Sequence, residues 1–578
     1  MGLVVLLLVA GCTRPSPEPS AGAAVDSRPS TAKILTVGVQ RELGSFGEFG
    51  VGGGGTIAPE LAHNALVVKN QDGIYVPQLA AEQISVERGT WRLNADGSMD
   101  TTWKLRPGLL WHDRTPFTSA DLLFTFTAYK DPTLPSGVAS QMLRMESASA
   151  PNPLTFAVHW SSVDVKADQA AGLTPLPRHL LETSYQSDRA SIATSSRLTT
   201  EFVGLGPYRL ARWDAGVQME LVRFDAYHAG RPALDKIILR YIADPNALVA
   251  SLLAGGIDLV LPPGVDVDLA MDVEQRWKGT DNRVVMRTAE DLNAAYALQF
   301  REEYSRPHNG LTNRDVREAL YRAIDRAAMA DAMTHGLAAV ADSWVSPLHP
   351  LRPDVAGAIP QFPFDPARAQ QLMEGAGWVL GADGMVVARQ SGERLEIEIS
   401  GPQRAVVQKQ QPIIGDAWRN LGVDPQIHVI PPSLDTDRKY EATRPGIILG
   451  SIGDYRLYFD NHLHSRETSS DDNRWGGRNK GGYRNPSVDA ILDRLSTTID
   501  PRPRVALNRE YLQVAMGDVA LMPFYWEVYP ALIVASVRGP IYPAKSGGAW
   551  NAFEWDKRAI PPALPASFRR RSSNWARW

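Results

Sequence analysis

Histidine and acidic residues near position 460 are the side chains in this chain whose types and spacing suggest a metal site. His462 and His464 alternate around one leucine, and Asp460 lies close by. On an extended segment alternate side chains share one face, so the two imidazoles could bind one metal ion. No third ligand is identifiable, and histidines in exposed loops are common. We therefore expect no metal and no other cofactor.

Motifs for phosphate binding and for catalysis are incomplete or absent. Seven glycines lie between Gly44 and Gly55, but no Gly-Lys-Ser/Thr follows them and no G-x-G-x-x-G opens a helix there. The sequence contains neither G-x-S-x-G nor H-E-x-x-H, and its single cysteine, Cys12, lies near the N-terminus. Because no arrangement of an active site is present, we expect a protein that is not an enzyme.

Length and charge narrow the class of protein further. A chain of 578 residues predicts about two to four domains. Its 44% hydrophobic and 21% charged content is typical of globular proteins. With 60 basic and 64 acidic residues the formal net charge is -4, so no nucleic-acid partner is indicated.

The first residues have the pattern of a secretion signal. An apolar run from Leu3 to Ala10 ends in Val-Ala-Gly-Cys, which is similar to the lipobox of bacterial lipoproteins. That similarity implies a signal peptide over residues 1–12 and lipidation of Cys12, because the run is too short to span a bilayer. Residues 13–33, rich in proline, serine, alanine and glycine, are expected to form a flexible linker to the membrane surface.

The stretch WKLRPGLLWHDRTPFTSADLLFTF, residues 103–126, predicts the element around which the chain is organised. Residues 101–105 alternate as a half-buried strand does. Thr118 stands three residues before Asp121, a capping box that opens a helix. One apolar face of that helix is formed by Leu122, Leu123, Phe126 and Tyr129.

This stretch resembles the signature of the extracytoplasmic solute-binding proteins that serve peptide and related ABC importers, the bacterial extracellular solute-binding protein family 5. Arg114 and Ala120 replace the usual glycine and glutamate of the signature. Further phrases similar to those of the family follow in the expected order, including VGLGPYRL at 203–210 and DVREALYRAIDR at 315–326. The resemblance covers roughly residues 34 to 545.

The resemblance implies an α/β, two-lobed periplasmic-binding-protein-like fold (type II, large peptide-binding class) with an extra inserted subdomain. We expect two lobes, joined by short crossover strands, that close on a ligand by a hinge motion. The expected boundaries are lobe I at 34–80, 200–286 and 540–565, the inserted subdomain at 81–199, lobe II at 287–539, and a tail at 566–578.

Local patterns predict three features of residues 284–335, where the second lobe begins. Residues 284–286 and 296–300 read as two separate strands. Residues 313–335 read as one helix that Asn313 caps. Its arginines and Asp325 have the helical spacing of a solvated face.

The resemblance also implies where a ligand binds. In peptide-binding members, a carboxylate in the segment that corresponds to 449–455 pairs with the α-ammonium group of the ligand, and Asp454 occupies its place. An ammonium group taken out of water needs a fixed anion within hydrogen-bonding reach. Backbone groups near Gly450 could bind an extended peptide as an added strand. The predicted ligand-binding residues are therefore Gly450, Ser451, Asp454 and Tyr455.

The function that follows from the resemblance is capture of oligopeptides or dipeptides in an interlobe cleft. The protein is expected to be a monomer, lipid-anchored or periplasmic, that delivers its ligand to an ABC permease and its ATPase subunits. Ser451 replaces a tryptophan common in the family, so an oligosaccharide, an opine or a nickel chelate stays an alternative ligand. A cell-surface hydrolase and a peptide chaperone or signalling receptor are the alternatives of other classes.

Overall fold

A computed structural model describes residues 32–47, 57–70, 74–134, 142, 144–170, 173–435, 437–453, 460–540 and 548–558. The elements named below belong to one compact unit that begins at Lys33. The strands are β1 Ile34–Val39, β2 Val67–Lys69, β3 Tyr75–Pro77, β4 Trp91–Leu93, β5 Met99–Lys104, β6 Met145–Asn152, β7 Thr155–Trp160, β8 Tyr208–Asp214, β9 Gln218–Arg223, β10 Lys236–Tyr241, β11 Leu259–Val260, β12 Arg283–Leu298, β13 Trp378–Leu380, β14 Val386–Ala388, β15 Glu396–Pro402, β16 Asp424–Ile430, β17 Ile447–Ile452, β18 Met522–Ile533, β19 Val537–Arg538 and β20 Asp556–Lys557.

Helices cover the faces of the sheets and connect their strands. They are α1 Ile57–Ala62, α2 Ser119–Tyr129, α3 Arg178–Ser187, α4 Pro245–Leu253, α5 Val267–Arg276, α6 Arg314–Arg322, α7 Arg326–Thr334, α8 Arg352–Val355, α9 Pro366–Gly375, α10 Ala405–Asn420, α11 Arg438–Ala442, α12 Asp460–Leu463, α13 Pro486–Thr497 and α14 Pro501–Gly517. None of the helices in the described ranges is long and apolar enough to cross a membrane.

A ten-stranded sheet runs through the protein in the order β16-β15-β17-β12-β18-β11-β1-β10-β9-β8. The strands β12 and β18, of 16 and 12 residues, pair with each other along most of their length. At one end β18 pairs with β11, and at the other β12 pairs with β17. The two strands thus connect the half of the sheet that contains β15 with the half that contains β1.

Two predictions about these crossover strands are wrong. Residues 284–286 of the first run and 296–298 of the second belong to one strand, β12, and the crossovers are long rather than short. The polar residues between the two runs do not end the strand, because Leu292 to Ala295 pair with β17 on one side and with β18 on the other. Partners on both sides satisfy the backbone hydrogen bonds there, so local propensity does not decide the conformation.

Each half of the ten-stranded sheet has its own buried apolar core. On the β1 side, Leu35, Val37 and Leu239 pack in a cluster with Trp555. On the β15 side, residues of α6, α10 and β17 pack in another cluster. The described residues therefore contain a core in each half of the sheet, as a two-lobed protein requires.

A separate four-stranded sheet, β4-β5-β7-β6, lies within the region predicted as the inserted subdomain. It contributes a large core that includes Trp103 and Trp111. The predicted capping box of α2 is confirmed, since the Thr118 backbone N–H donates to Asp121 at 2.9 Å. The domain boundaries themselves stay predictions.

Two buried histidines hold the turn at residues 204–206 against this region. His112 accepts a hydrogen bond from the Gly204 N–H at 3.1 Å and lies 3.0 Å from the Gly206 carbonyl. His63 accepts from the Leu205 N–H at 3.2 Å. Burial lowers the pKa of His112 to about 3 and that of His63 to about 4, so both rings are neutral near neutral pH.

The helix predicted over 313–335 is two helices, α6 and α7. Asp325 separates them, because its side chain caps α7 by accepting from the Ala328 N–H at 2.9 Å. The prediction of a solvated charged face is wrong for Arg317, which is buried and donates to the Asp518 and Leu311 carbonyls at 2.7 and 2.9 Å. The helical spacing alone predicts this guanidinium at the surface. Its burial is possible because the two backbone carbonyls accept its hydrogen bonds.

Candidate ligand-binding site

The predicted ligand segment begins on β17, at the point where the neighbouring strands part. β17 pairs with β12 from Ile447 to Ile452, but it pairs with β15 only at Ile447 and Ile448. Among the described residues no strand pairs with the β15-side edge of residues 450–452. Ser451 is exposed at this edge, whereas Ile452 is buried. Backbone groups of a strand edge without a strand partner can pair with an added strand.

Gly450 and Ser451 are both predicted site residues. As neighbours in a strand, they present opposite faces of the sheet. Ser451 lies opposite Asn293 of β12, so its side chain shares a face with that asparagine. On the other face, a Cβ at Gly450 would lie 2.9 Å from the Tyr296 ring. The Tyr296 hydroxyl donates to Glu441 at 2.6 Å, which fixes the ring in that place.

Two carboxyl groups lie on the Ser451 face, one on each crossover strand. The Asn293 amide donates to Glu527 at 3.1 Å, and the Tyr529 hydroxyl donates to Asp291. The pKa of Glu527 is raised to about 7, chiefly by burial and to a smaller extent by the charge of Asp291. Hydrogen bonds from Asn293 and Ser451 oppose this shift. Burial and the nearby carboxylates raise the pKa of Tyr529 as well.

Buried polar side chains surround this pair. Gln410 of α10 is fully buried and donates from Nε2 to Asn293 at 2.5 Å. Its carbonyl oxygen Oε1 has no hydrogen-bond partner in the described part of the chain. The same holds for the hydroxyl of Tyr525, which lies opposite Asn293 in the sheet. We call Asp291, Asn293, Gln410, Tyr525, Glu527 and Tyr529 the crossover cluster.

Polar and charged side chains form contacts between the two halves of the sheet, near the crossover strands. Asp268 of α5 lies 2.7 Å from Nε2 of His335 at the end of α7. The same carboxylate pairs with Lys409 of α10. Helix α5 packs in the apolar cluster of β11, whereas residues of α7 and α10 pack in the cluster of β17. These contacts therefore bridge the two lobes.

The remaining predicted site residues are not among those that the structure describes. Asp454, Tyr455 and Cys12 lie outside the described residues, as do residues 48–56 of the glycine-rich stretch. The expectation that His462 and His464 alternate on an extended segment is wrong, since α12 ends at Leu463 between them.

The two histidines near position 460 have different environments. His464 is buried, with Nε2 3.2 Å from Asp493 and Nδ1 3.3 Å from Asp489. Burial lowers the pKa of His462 to about 4. No group of three or more histidine, cysteine or acidic side chains in the described ranges has the spacing of a metal site.

The crossover cluster was missed by sequence reasoning. A signal for it exists, because Asp291 and Asn293 are two residues apart in β12, and Glu527 and Tyr529 have the same spacing in β18. Polar residues at period two in a buried strand mark one face with a polar environment. That both pairs face Ser451 depends on the register between β17, β12 and β18, which the sequence does not reveal.

The two cores of the ten-stranded sheet and the long strands that connect them define a two-lobed fold. The family model of bacterial extracellular solute-binding proteins, family 5 Middle, matches residues 75–470, and the chain belongs to this family. Members of the family are extracytoplasmic binding proteins rather than enzymes.

Individual relatives and solved structures agree with that assignment. The chain is 22% identical to the oligopeptide-binding protein AppA of Bacillus subtilis over 75% of this chain and 76% of AppA. It is 27% identical to protein XP55 of Streptomyces lividans over 79% of this chain and 77% of XP55.

The fold matches solved structures over nearly their whole length. NikZ of Campylobacter jejuni in complex with Ni(L-His) superimposes with a TM-score of 0.74 at 22% identity, covering 91% of this chain and 99% of NikZ. AppA of Bacillus subtilis in complex with a nonapeptide gives 0.72 at 19% identity, covering 92% and 100%. The predicted fold class, an α/β type II periplasmic-binding-protein fold, is confirmed.

Proposed function

We propose that this protein is the substrate-binding component of an ABC importer that captures oligopeptides or dipeptides between its lobes and delivers them to a membrane permease. The β15-side edge of β17 at residues 450–452, with which no strand of the described residues pairs, carries this proposal. An extended peptide satisfies such an edge with its own backbone groups, and this mode tolerates varied side chains. The relative AppA, named for oligopeptide binding, supports peptides as the ligand class.

Asp454 is proposed as the anion for the peptide α-ammonium, with Gly450, Ser451 and Tyr455 in the same binding segment. Asp454 follows the open edge by two residues in sequence, so a peptide paired there can bring its amino terminus to this carboxylate. An ammonium–carboxylate hydrogen bond is stronger than a neutral one.

Delivery requires partners outside this chain. We propose that a permease and its ATPase subunits accept the closed, ligand-bound form, and that the protein acts as a monomer without a nucleic-acid partner. Lipidation at Cys12 would hold it at the outer face of the cell membrane, with residues 13–33 as the linker. Hinge closure would use the two crossover strands, and only ligand contacts on both lobes favour the closed form.

A nickel chelate is the second candidate ligand. NikZ, solved with Ni(L-His), superimposes on this chain as well as the peptide-bound AppA does. A chelate presents carboxylate oxygens rather than an unpaired peptide backbone, so it does not use the β17 edge. The edge therefore favours a peptide.

The experiment is a calorimetric titration of a panel of di- to pentapeptides, each with a free and with an acetylated amino terminus. We expect the free forms to bind wild-type protein and the Asp454→Asn variant to lose about tenfold or more in affinity. The matched control is Asp472→Asn, an exposed aspartate in the same lobe, which should bind as wild type does. Equal affinity of both variants, or binding of Ni(L-His) but of no peptide, would contradict the proposal.

A further inference from the structure

Two polar groups of the crossover cluster, Gln410 Oε1 and the Tyr525 hydroxyl, have no hydrogen-bond partner among the described residues. Glu527 forms no ion pair with any lysine, arginine or histidine in the described part of the chain, although it lies in a buried environment. Taking a carboxylate out of water without a counter-ion is costly, so a cation that arrives with a ligand would be strongly favoured there.

Two fully buried polar groups point to the same conclusion independently of the carboxyl groups. The Oε1 atom of Gln410 has no partner among the described residues, although Nε2 of the same amide is held by Asn293. The hydroxyl of Tyr525 lacks a partner in those residues too, and the charge of Glu527 acts on it. Buried polar groups are paired in the large majority of cases, so unpaired ones in one cluster indicate a missing donor.

The missing group must donate several hydrogen bonds and carry positive charge. Carboxylate and amide oxygens accept only, whereas an ammonium or guanidinium group offers three to five N–H donors and accepts none. A neutral hydroxyl would satisfy one acceptor and leave the charge of Glu527 uncompensated. A basic side chain fits all of these acceptors at once.

The predicted ligand segment lies beside the cluster. The side chain of Ser451 is exposed, and its hydroxyl acts on both Glu527 and Tyr529. In an added strand, successive side chains alternate between the two faces of the sheet. One set of side chains would therefore point to the face that carries the cluster.

We propose that Asp291 and Glu527 form a subsite for a positively charged side chain of the ligand, so that the protein prefers peptides with lysine or arginine at one position. This inference deepens the proposed function and rests on it. Asp454 is proposed for a different group of the ligand, the α-ammonium. Gln410, Asn293 and Tyr525 complete the set of acceptors around the cation.

The test is a lysine scan through pentaalanine, with the same scan in norleucine as an isosteric neutral control. We expect one lysine position to bind wild-type protein at least about tenfold more tightly than norleucine at the same position. In Glu527→Gln this preference should fall to less than about twofold, while the affinity for pentaalanine stays close to the wild-type value. Glu60→Gln is the control variant, because burial raises the pKa of Glu60 to about 7 as well but Glu60 lies outside the cluster.

Asp291→Asn is a second variant of the same subsite. It allows the test to be made even if Glu527→Gln does not fold. Equal binding of lysine and norleucine peptides by wild-type protein would overturn the inference while leaving peptide binding established. A lysine preference that survives in both variants would overturn it as well.

If no peptide bound, the proposed function would fail. The cation subsite would then be tested with agmatine, a small guanidinium compound, in place of a peptide. Thermal stabilisation of wild type by agmatine, absent in both cluster variants, would support the cation subsite. Stabilisation of none of them, or of all of them equally, would overturn it.

Discussion

Replacing Glu527 by glutamine should make the folded protein more stable at alkaline pH. The pKa of Glu527 is raised from 4.5 to about 7, which corresponds at 1.36 kcal/mol per unit to about 3 kcal/mol against the ionised form. Because the side chain is only partly enclosed, solvent screens part of this energy, and we expect about 1.5 kcal/mol. Glutamine keeps the shape and the hydrogen bond from Asn293 without the charge.

The sign of the pH dependence follows from the direction of the shift. A carboxyl group with a raised pKa in the folded state contributes its stability fully below about pH 4.5 and loses it as the pH rises through about 7. His63 and His112 act in the opposite sense. Their pKa values are lowered from 6.5 to about 4 and about 3, so their contribution is present above pH 6.5 and is lost as the pH falls. Only the alkaline limb should change in Glu527→Gln.

The assay is the apparent melting temperature of ligand-free protein between about pH 4 and pH 9. Relative to wild type, Glu527→Gln should gain a few degrees at the alkaline end and nothing near the acidic end. Glu374→Gln, a change at an exposed glutamate of α9, is the matched control and should follow the wild-type curve. Identical curves for wild type and Glu527→Gln, or a loss of stability in the variant at alkaline pH, would refute the reasoning.

Two further predictions concern the predicted ligand segment and the contacts between the lobes. Gly450→Ala places a methyl group 2.9 Å from the Tyr296 ring, so we expect a loss of about 1–3 kcal/mol in urea denaturation, and an unchanged midpoint would contradict this. Asp268→Asn removes the ion pair to Lys409 and alters the hydrogen bond to His335; an ion pair between half-exposed groups is worth about 0.2–1 kcal/mol. The ligand-free variant should therefore show a larger radius of gyration in small-angle scattering than wild type, and an equal radius would argue against a contact between lobes.

Much of the local structure was predictable because it depends on residues close in sequence. The alternating pattern of residues 101–105 is found almost entirely within β5, Met99–Lys104, since alternation acts within a few residues. The capping box at Thr118 is found for the same reason. Errors arose where distant residues decide the outcome.

The length of β12 and the burial of Arg317 are two such errors. β12 continues through polar residues because β17 and β18 provide partners from far along the chain. Arg317 is buried because the carbonyls of Asp518 and Leu311 receive its guanidinium. Neither partner is visible in a local pattern.

The candidate site shows the same division. Ser451 and Gly450 were predicted from a resemblance in the segment itself, and the structure places both on β17 at an open edge. The carboxyl groups of Asp291 and Glu527 are 236 residues apart in sequence and meet only through the pairing of the crossover strands. The sequence could therefore suggest the segment as a candidate but not the carboxyl groups that lie on the same face of the sheet.

Native mass spectrometry of protein purified without denaturation tests the central claim most directly, namely that the lobes enclose a guest and release it unaltered. The account predicts one copy of a peptide per protein, recovered after denaturation with the same mass that it adds to the complex. A peptide added back should bind again without any change in its mass over time. Recovery of cleaved fragments, or the absence of any bound or re-binding peptide, would contradict the account.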